Sequence, residues 1–451
     1  MEKVTEEKNK MGLKQLVLAL MVVSLFIPMV QKQFRLVNEK PLKGFFDIAA
    51  FPEFTLQSWN AGAYQPQMEK AINENAGFHD WLVKLQCQIN YSIFNISKFQ
   101  TVIVGKDGYL YDKAYIDGYT GKDFIGKERI ALQVEKAEVV ARELKKKNIT
   151  LLFALAPGKA SYFPEHIPDA LKQQQPAADS TNYQCYARLL QLSELNYIDL
   201  RSYFISLKSK SKYPVYSQTG VHWGQYACFV AIDTIAKRLE ELNHTRLNKP
   251  SINSIELRDT LIRTDNDEGD LMNVFSELPH YKMGYLTYRY HRDTNQTKPN
   301  LLAISDSYFS NMVATGCIDS LFANWSYWNY NKGVSSDKTD KTFRFKREIE
   351  KRNVLLIMAT DASLAAFPFG FIDEAYEQYA PHDSKYVKLK QKEFRILITE
   401  TMHNIPKNKE WKNQLIKSAE QKGVSPLDEF IGAAVWCYNE RERIIKEAIV
   451  Q

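Results

Sequence analysis

The sequence predicts an α/β fold with a largely parallel sheet, and two observations carry that prediction. Continuous apolar runs of strand length, Thr150–Leu155, Leu301–Ile304 and Val354–Met358, each lead into a loop of small or polar residues. Between them lie segments of helical periodicity, the clearest being Ile130, Val134, Ala137, Ala141 and Leu144 among Glu, Lys and Arg. A run apolar at every position suits a strand covered on both faces, and strands alternating with helices build parallel βαβ units. Loops beyond the carboxyl ends of such strands are where a site belongs.

Composition bounds the rest. The chain has 451 residues, 45% hydrophobic and 25% charged, which suits a globular protein rather than a disordered or polytopic one. Its 59 Lys and Arg against 53 Asp and Glu leave a charge of +6. That surplus is too diffuse for the basic face of a nucleic-acid binder. Five widely spaced cysteines, Cys87, Cys185, Cys228, Cys317 and Cys437, give neither a disulfide framework nor a metal knuckle. The histidines show no HxH or HExxH pairing, so no metal is expected. The many Tyr, Phe and Trp serve either a large core or contacts to sugar rings.

In chain order, a polar start with Lys3, Lys8, Lys10 and Lys14 precedes an uncharged apolar run from Leu16 to Val30, followed by Lys32 and Arg35. Such a run rises only ~22 Å as a helix against a hydrocarbon core of ~30 Å, a gap that snorkelling flanks can close. A cleaved signal peptide is the competing reading, but no small-x-small site follows, so an uncleaved anchor is expected. Phe51 to Phe99 reads as short helices with interspersed aromatics. Val102–Val104 and Tyr109–Tyr111 flank the turn Gly105-Lys106-Asp107-Gly108. A helix near Thr181 leads to the strand Tyr197–Leu200, and a helix from about Trp223 carries Cys228, Ile232, Ile235 and Leu239 on one face. The acidic cluster Asp265, Asp267, Glu268 and Asp270 lacks calcium-loop spacing and reads as a solvated loop. In the polar helical tail, Ser425-Pro426 has the form of a helix start.

Two stretches carry candidate chemistry. Ser307 stands just past the run Leu301–Ile304, in Ser305-Asp306-Ser307. A strand fixes a nucleophile there, and following backbone N–H groups can face an oxyanion. An ordinary strand exit has the same form. His222, in Gly220-Val221-His222-Trp223, opens a helix off its apolar stripe, where it could serve as general base or merely cap the helix.

Taken with Gly105–Tyr111 and Ala156-Pro157-Gly158-Lys159-Ala160-Ser161-Tyr162-Phe163-Pro164, these stretches occur in the order seen in a known family. The chain resembles the SGNH-hydrolase-like proteins of bacterial polysaccharide O-acetylation, of the AlgJ and AlgX type, over about residues 100 to 375. The resemblance implies a three-layer SGNH-like core, with Ser307 as nucleophile and His222 as base. Backbone amides of Ser307 and Tyr308 would hold the oxyanion. The family's Asp-x-His-Trp here has Gly220 in place of the aspartate, and its Gly-Asp-Ser begins with Ser305. Candidate supporting carboxylates are therefore Asp306, Asp199 and Asp361. Lys159 reads as a structural lysine of its loop.

The expected organisation is a cytoplasmic stub and signal anchor over 1–35 and a helical lead-in over 36–100. The SGNH-like α/β domain spans 101–380 with an insertion near 245–300, and a helical tail spans 381–451. The expected function is extracytoplasmic O-acetyl transfer to an exported polysaccharide through an acetyl-serine. A carbohydrate acetyl-esterase using the same site, and a non-catalytic glycan-binding or scaffold subunit, are the alternatives. The resemblance further implies a membrane-bound O-acyltransferase partner that supplies acetyl, no resident cofactor, and a single-pass position in the bacterial inner membrane with the main domain in the periplasm.

Overall fold

The computed structural model describes residues 2–44, 48–172, 180–289, 296–332 and 343–450. The chain divides into two compact units, Met1–Val104 with Glu268–Leu278, and Gly105–Asp267 with Pro279–Gln451.

The first unit is helical. Helix α1 runs over Glu2–Phe34, and α2 (Leu56–Asn60), α3 (Tyr64–Glu74) and α4 (His79–Phe94) follow. The candidate span is longer than the uncharged run, because the helix continues on both sides through flanks that carry Lys14 and Lys32. Gly12–Phe34 gives 23 residues long and apolar enough to cross a membrane. At 1.5 Å per residue that reaches about 35 Å, enough for a ~30 Å hydrocarbon core. Thr55 starts α2 with a capping box, its side chain accepting from the Ser58 N–H while Ser58 answers the Thr55 N–H.

The second unit is built on a five-stranded sheet, β1 (Thr150–Ala156), β2 (Asn196–Asp199), β3 (Leu301–Ser305), β4 (Trp325–Asn329) and β5 (Val354–Thr360), in the order β2-β1-β5-β3-β4. Every adjacent pair is parallel, with Leu155 opposite Asp199, Ala156 opposite Thr360 and Ser305 opposite both Met358 and Asn329. All seven residues of β5 are buried, as a strand covered on both faces demands. Alternate residues serve two layers. Leu151, Phe153, Leu302, Ile304, Leu355 and Ile357 join Ile130, Val134 and Leu144 of helix α5 (Lys127–Lys145) in one core. On the other face lie the helices at Leu200–Leu207, Gln225–Asn243 and Tyr308–Ala314. The domain is thus a three-layer core with a parallel sheet.

Local signals in the sequence account for several boundaries. Thr181 and Gln184 form a capping box that starts the helix Asn182–Leu192. Ser425 Oγ accepts the Asp428 N–H at 3.1 Å where the last helix, Pro426–Val450, begins. The charged stretch within 245–300 is not a plain loop. It contains an antiparallel pair, Ser251–Arg258 with Met283–Arg289, and a helix Asp267–Leu271; residues 290–295 lie outside the described residues. All five cysteines are free thiols, four of them buried.

A buried ionic network holds the helical tail. Lys136 of α5 reaches Asp373 at 2.8 Å and Glu393 at 2.6 Å, and Arg441 reaches each of the same carboxylates at 2.7 Å. Burial alone would raise the Asp373 carboxyl, but Lys136 and Arg441 outweigh it and hold it down at about 2.

Candidate active site

The carboxyl ends of the sheet strands collect the chemistry. Strand β3 is buried throughout, and Ser307 follows it as the residue before the helix Tyr308–Ala314. Asp306 fixes this turn. Its Oδ2 accepts the Thr360 N–H at 2.9 Å and the Thr360 hydroxyl at 2.8 Å, tying the end of β3 to the end of β5. Its Oδ1 accepts the Tyr308 N–H at 3.2 Å. Asp306 therefore braces the nucleophile loop instead of touching the histidine. It also turns the Tyr308 N–H, expected as an oxyanion donor, toward a carboxylate.

His222 arrives on a loop whose carbonyls are held one by one. Lys159 Nζ, fully buried, donates to Gln218 O and Gly220 O, each at 2.7 Å. The Leu110 N–H also reaches Gln218 O at 2.8 Å, and the Tyr308 hydroxyl donates to Val221 O at 2.7 Å. Tyr281 donates to Tyr216 O, and the Trp223 indole N–H to Tyr308 O at 3.2 Å. A loop so restrained has little freedom left, which is what positioning a base requires.

The result is a three-residue line. His222 Nε2 lies 2.8 Å from Ser307 Oγ. On the far side of the ring, Nδ1 bonds Asp267 Oδ2, while Asp267 Oδ1 accepts the Val221 N–H at 2.8 Å. With Nδ1–H given to the carboxylate, the Nε2 lone pair faces the serine hydroxyl, the tautomer a general base needs. The ring rests against Tyr308, with centroids 5.3 Å apart.

Sequence reasoning missed Asp267, having placed it in a solvated acidic cluster. In fact Asp265 is fully buried and Glu268 nearly so. Gly220 explains why the carboxylate must come from elsewhere. A Cβ there would stand 2.7 Å from Asp265 C and 2.8 Å from both Asp265 O and Ser217 Oγ, so no aspartate fits. The two carboxylates expected at strand ends do other work. Asp199 caps the helix Leu200–Leu207 through the Ser202 N–H at 2.9 Å and accepts the Tyr183 hydroxyl at 2.7 Å. Asp361 accepts the Gly158 N–H at 3.2 Å and lies 3.3 Å from Arg201 Nε. Asp199 ends the outer strand β2, with one oxygen committed to that helix start and the other to Tyr183.

Two further groups border the line. Asp265 accepts the Tyr285 hydroxyl at 2.6 Å. Burial pushes its carboxyl up to about 6, with the Asp267 charge adding to the rise against the Tyr285 bond and His222. Tyr330 follows β4 in the left-handed region, at φ 49°, with its N–H on Ser305 O at 2.8 Å. Its phenol pKa is raised, chiefly by partial desolvation and next by the Asp306 charge, with Ser307 and Ser363 near enough to act against the rise. No feature of the isolated sequence marked it.

Residues 102–310, which contain Ser307, His222 and Asp267, match the family described as SGNH hydrolase-like domain, acetyltransferase AlgX. The matched segment is a little under half of the chain. A curated relative, the probable alginate O-acetylase AlgJ of Pseudomonas aeruginosa, is 29% identical over 167 residues, 36% of this chain. The match spans 38% of that relative's length. Among solved structures, the O-acetyltransferase domain of Pseudomonas putida AlgJ is similar at 14% identity and a TM-score of 0.38, covering 61% of this chain and 99% of its own. Pseudomonas aeruginosa AlgX is similar at 11% identity and a TM-score of 0.40, covering 60% of this chain and 67% of its own. The AlgX-type domain match stops at 310, so β4, β5 and the helical tail lie beyond it.

Proposed function

We propose that this chain is an extracytoplasmic O-acetyltransferase that modifies an exported polysaccharide through an acetyl-serine. The observation that carries the reading is the Ser307–His222–Asp267 line, with its 2.8 Å contact between base and nucleophile. His222 Nε2 takes the Ser307 proton as Oγ attacks the acetyl carbonyl of the donor. The tetrahedral intermediate collapses, His222 returns that proton to the leaving group, and acetyl-Ser307 remains. A sugar hydroxyl then gives its proton to His222 and attacks the same carbonyl, releasing Ser307 with its proton restored. Asp267 steadies the imidazolium at each stage. The Ser307 N–H and the Tyr330 hydroxyl are the donors proposed for the oxyanion, in place of the Tyr308 N–H that Asp306 engages.

A polysaccharide acceptor accords with the name of the AlgJ relative, a probable alginate O-acetylase. The acetyl group would come from a membrane-bound O-acyltransferase rather than a resident cofactor. Helix α1 would act as a single-pass anchor in the bacterial inner membrane, leaving the rest of the chain in the periplasm. A purely binding subunit has no use for a base aligned on a hydroxyl, and Asp267 removes the objection raised by Gly220.

The test incubates the full chain, purified in detergent, with an acetyl-ester donor, with and without glycan. An acetyl adduct seen by intact mass, lost in Ser307→Ala and discharged by glycan, is expected. Discharge that ignores the glycan would replace transferase by esterase. No adduct and no turnover would overturn both in favour of a glycan-binding or scaffold subunit.

A further inference from the structure

The helical lead-in has almost no core of its own. Among the described residues from 48 to 100, Ala71 and Cys87 are the only buried hydrophobic side chains. Large apolar groups face outward instead, including Leu56 at 73% exposure, Ile93 at 69% and Phe94 at 62%. Helix α4 displays the pattern most clearly. Leu82, Ile89 and Ile93 recur at i, i+7 and i+11, so they share one stripe, and all three are exposed; Cys87, on the opposite side, is buried. A helix of a soluble domain turns such a stripe inward. Monomeric soluble proteins seldom leave so much apolar surface open, and where they do it marks a contact.

What this surface touches is indicated by where it is fastened. Gly77 packs on the last turns of α1 so closely that a Cβ would lie 2.3 Å from Pro28 O and 2.7 Å from Lys32 N. Phe78, the residue before α4, joins Val23, Phe26, Ile27 and Val30 of α1 around one cavity. Glu39 Oε1 ties the two together, accepting the Phe78 N–H at 3.0 Å and Gln31 Nε2 at 3.1 Å. Helix α4 therefore begins beside the final turns of the apolar helix. If α1 crosses a bilayer, those turns stand where hydrocarbon meets headgroups, and an amphipathic helix starting there has its natural apolar phase at hand. Trp59, half-exposed in a cluster with Phe54 and Tyr64, is of the residue type that collects at that depth.

We propose that the lead-in is an interfacial platform, its α4 stripe seated in the lipid leaflet on the non-cytoplasmic side of the membrane that α1 spans. The proposal rests on reading α1 as an anchor. The platform would give the chain a second hold on the lipid beside its spanning helix.

The experiment places the full chain in lipid nanodiscs made with a diazirine-tailed phospholipid and maps photo-adducts by peptide mass spectrometry. Adducts within 12–34 and again within 79–96 are expected. The triple variant Leu82→Gln, Ile89→Gln, Ile93→Gln should keep the first set and lose the second. Adducts confined to 12–34 would overturn the platform while leaving the anchor intact. Absence from both would overturn the anchor and the platform together. Labelling of 79–96 in nanodiscs that vanishes in native membranes would assign the stripe to a membrane protein, which also overturns the proposal.

Discussion

Replacing Asp267 by Asn keeps the shape of the side chain but removes one of its two acceptors. In the native arrangement one oxygen takes the Val221 N–H at 2.8 Å and the other takes His222 Nδ1–H. An asparagine offers a single oxygen to these two donors. If the oxygen stays on Val221, the amide NH₂ faces His222 and forces Nδ1 to accept. Nε2 then carries the proton and points it at Ser307 Oγ, and the base is lost. If the amide flips, the imidazole keeps its tautomer but the nearly buried Val221 N–H meets another donor. An unsatisfied donor there costs about 1–3 kcal/mol. Loss of the correct tautomer in a serine triad costs about 10⁴-fold in kcat, or roughly 5.5 kcal/mol of barrier. Asp267→Asn should therefore fall by about 10³ to 10⁴ in kcat for a chromogenic acetyl ester, with KM little changed and the protein still folded by circular dichroism. Activity within about ten-fold of the parent, where a barrier change is under ~1.4 kcal/mol, would refute the assignment of Asp267 as the orienting carboxylate.

Other perturbations test separate parts of the reasoning. Gly220→Asp, which restores the family residue, should not raise activity. Overpacking against the Asp265 backbone should lower unfolding free energy by about 1–3 kcal/mol in a urea titration. Tyr330→Phe should lower kcat by about 10²-fold at similar KM, as loss of one oxyanion donor does, and an unchanged kcat would remove Tyr330 from that role. Asp265 binds its proton more tightly folded, at about 6, than unfolded, at 3.8. The folded state is thus favoured at low pH and loses that advantage as pH rises through the window between the two. Relative to Asp265→Asn, the parent should lose roughly 3 kcal/mol of stability between about pH 4 and 6, measured by denaturant unfolding across pH. Lys136→Met leaves Asp373 with Arg441, and Glu393 with Arg441 and Lys390, and should cost about 3–5 kcal/mol, read as a lowered urea midpoint.

Much of the fold could be read from residue order because its signals are local. The runs at 151–155, 301–304 and 354–358 are apolar at every position, and a strand covered on both faces accounts for that pattern at that length. Thr181 and Ser425 announce helix starts through hydrogen bonds to residues three positions away. Ser307 and His222 were singled out by the order of the family's motifs, since locally a strand exit and a helix start left ordinary readings open. Asp267 was not. It meets His222 across 45 residues, and in a charged stretch nothing local separates a functional carboxylate from a solvated one. Tyr330 was equally hidden, because its left-handed backbone is one that the residues around it do not announce. The roles expected of Asp199 and Asp361 failed on the same ground. Strand ends bring several carboxylates near one edge, and only side-chain partners distinguish a helix cap from a catalytic aid.

The exclusion of a side chain at Gly220 has a consequence for assembly. Where the orienting carboxylate stands two residues from the histidine, folding of that one loop delivers both. Here they belong to segments that must find each other, and Asp267 lies between the paired strands Ser251–Arg258 and Met283–Arg289. The serine and histidine could be in register while the triad is still incomplete. Competence then depends on this insertion as well as on the sheet, and a cut within it would silence an otherwise intact sheet.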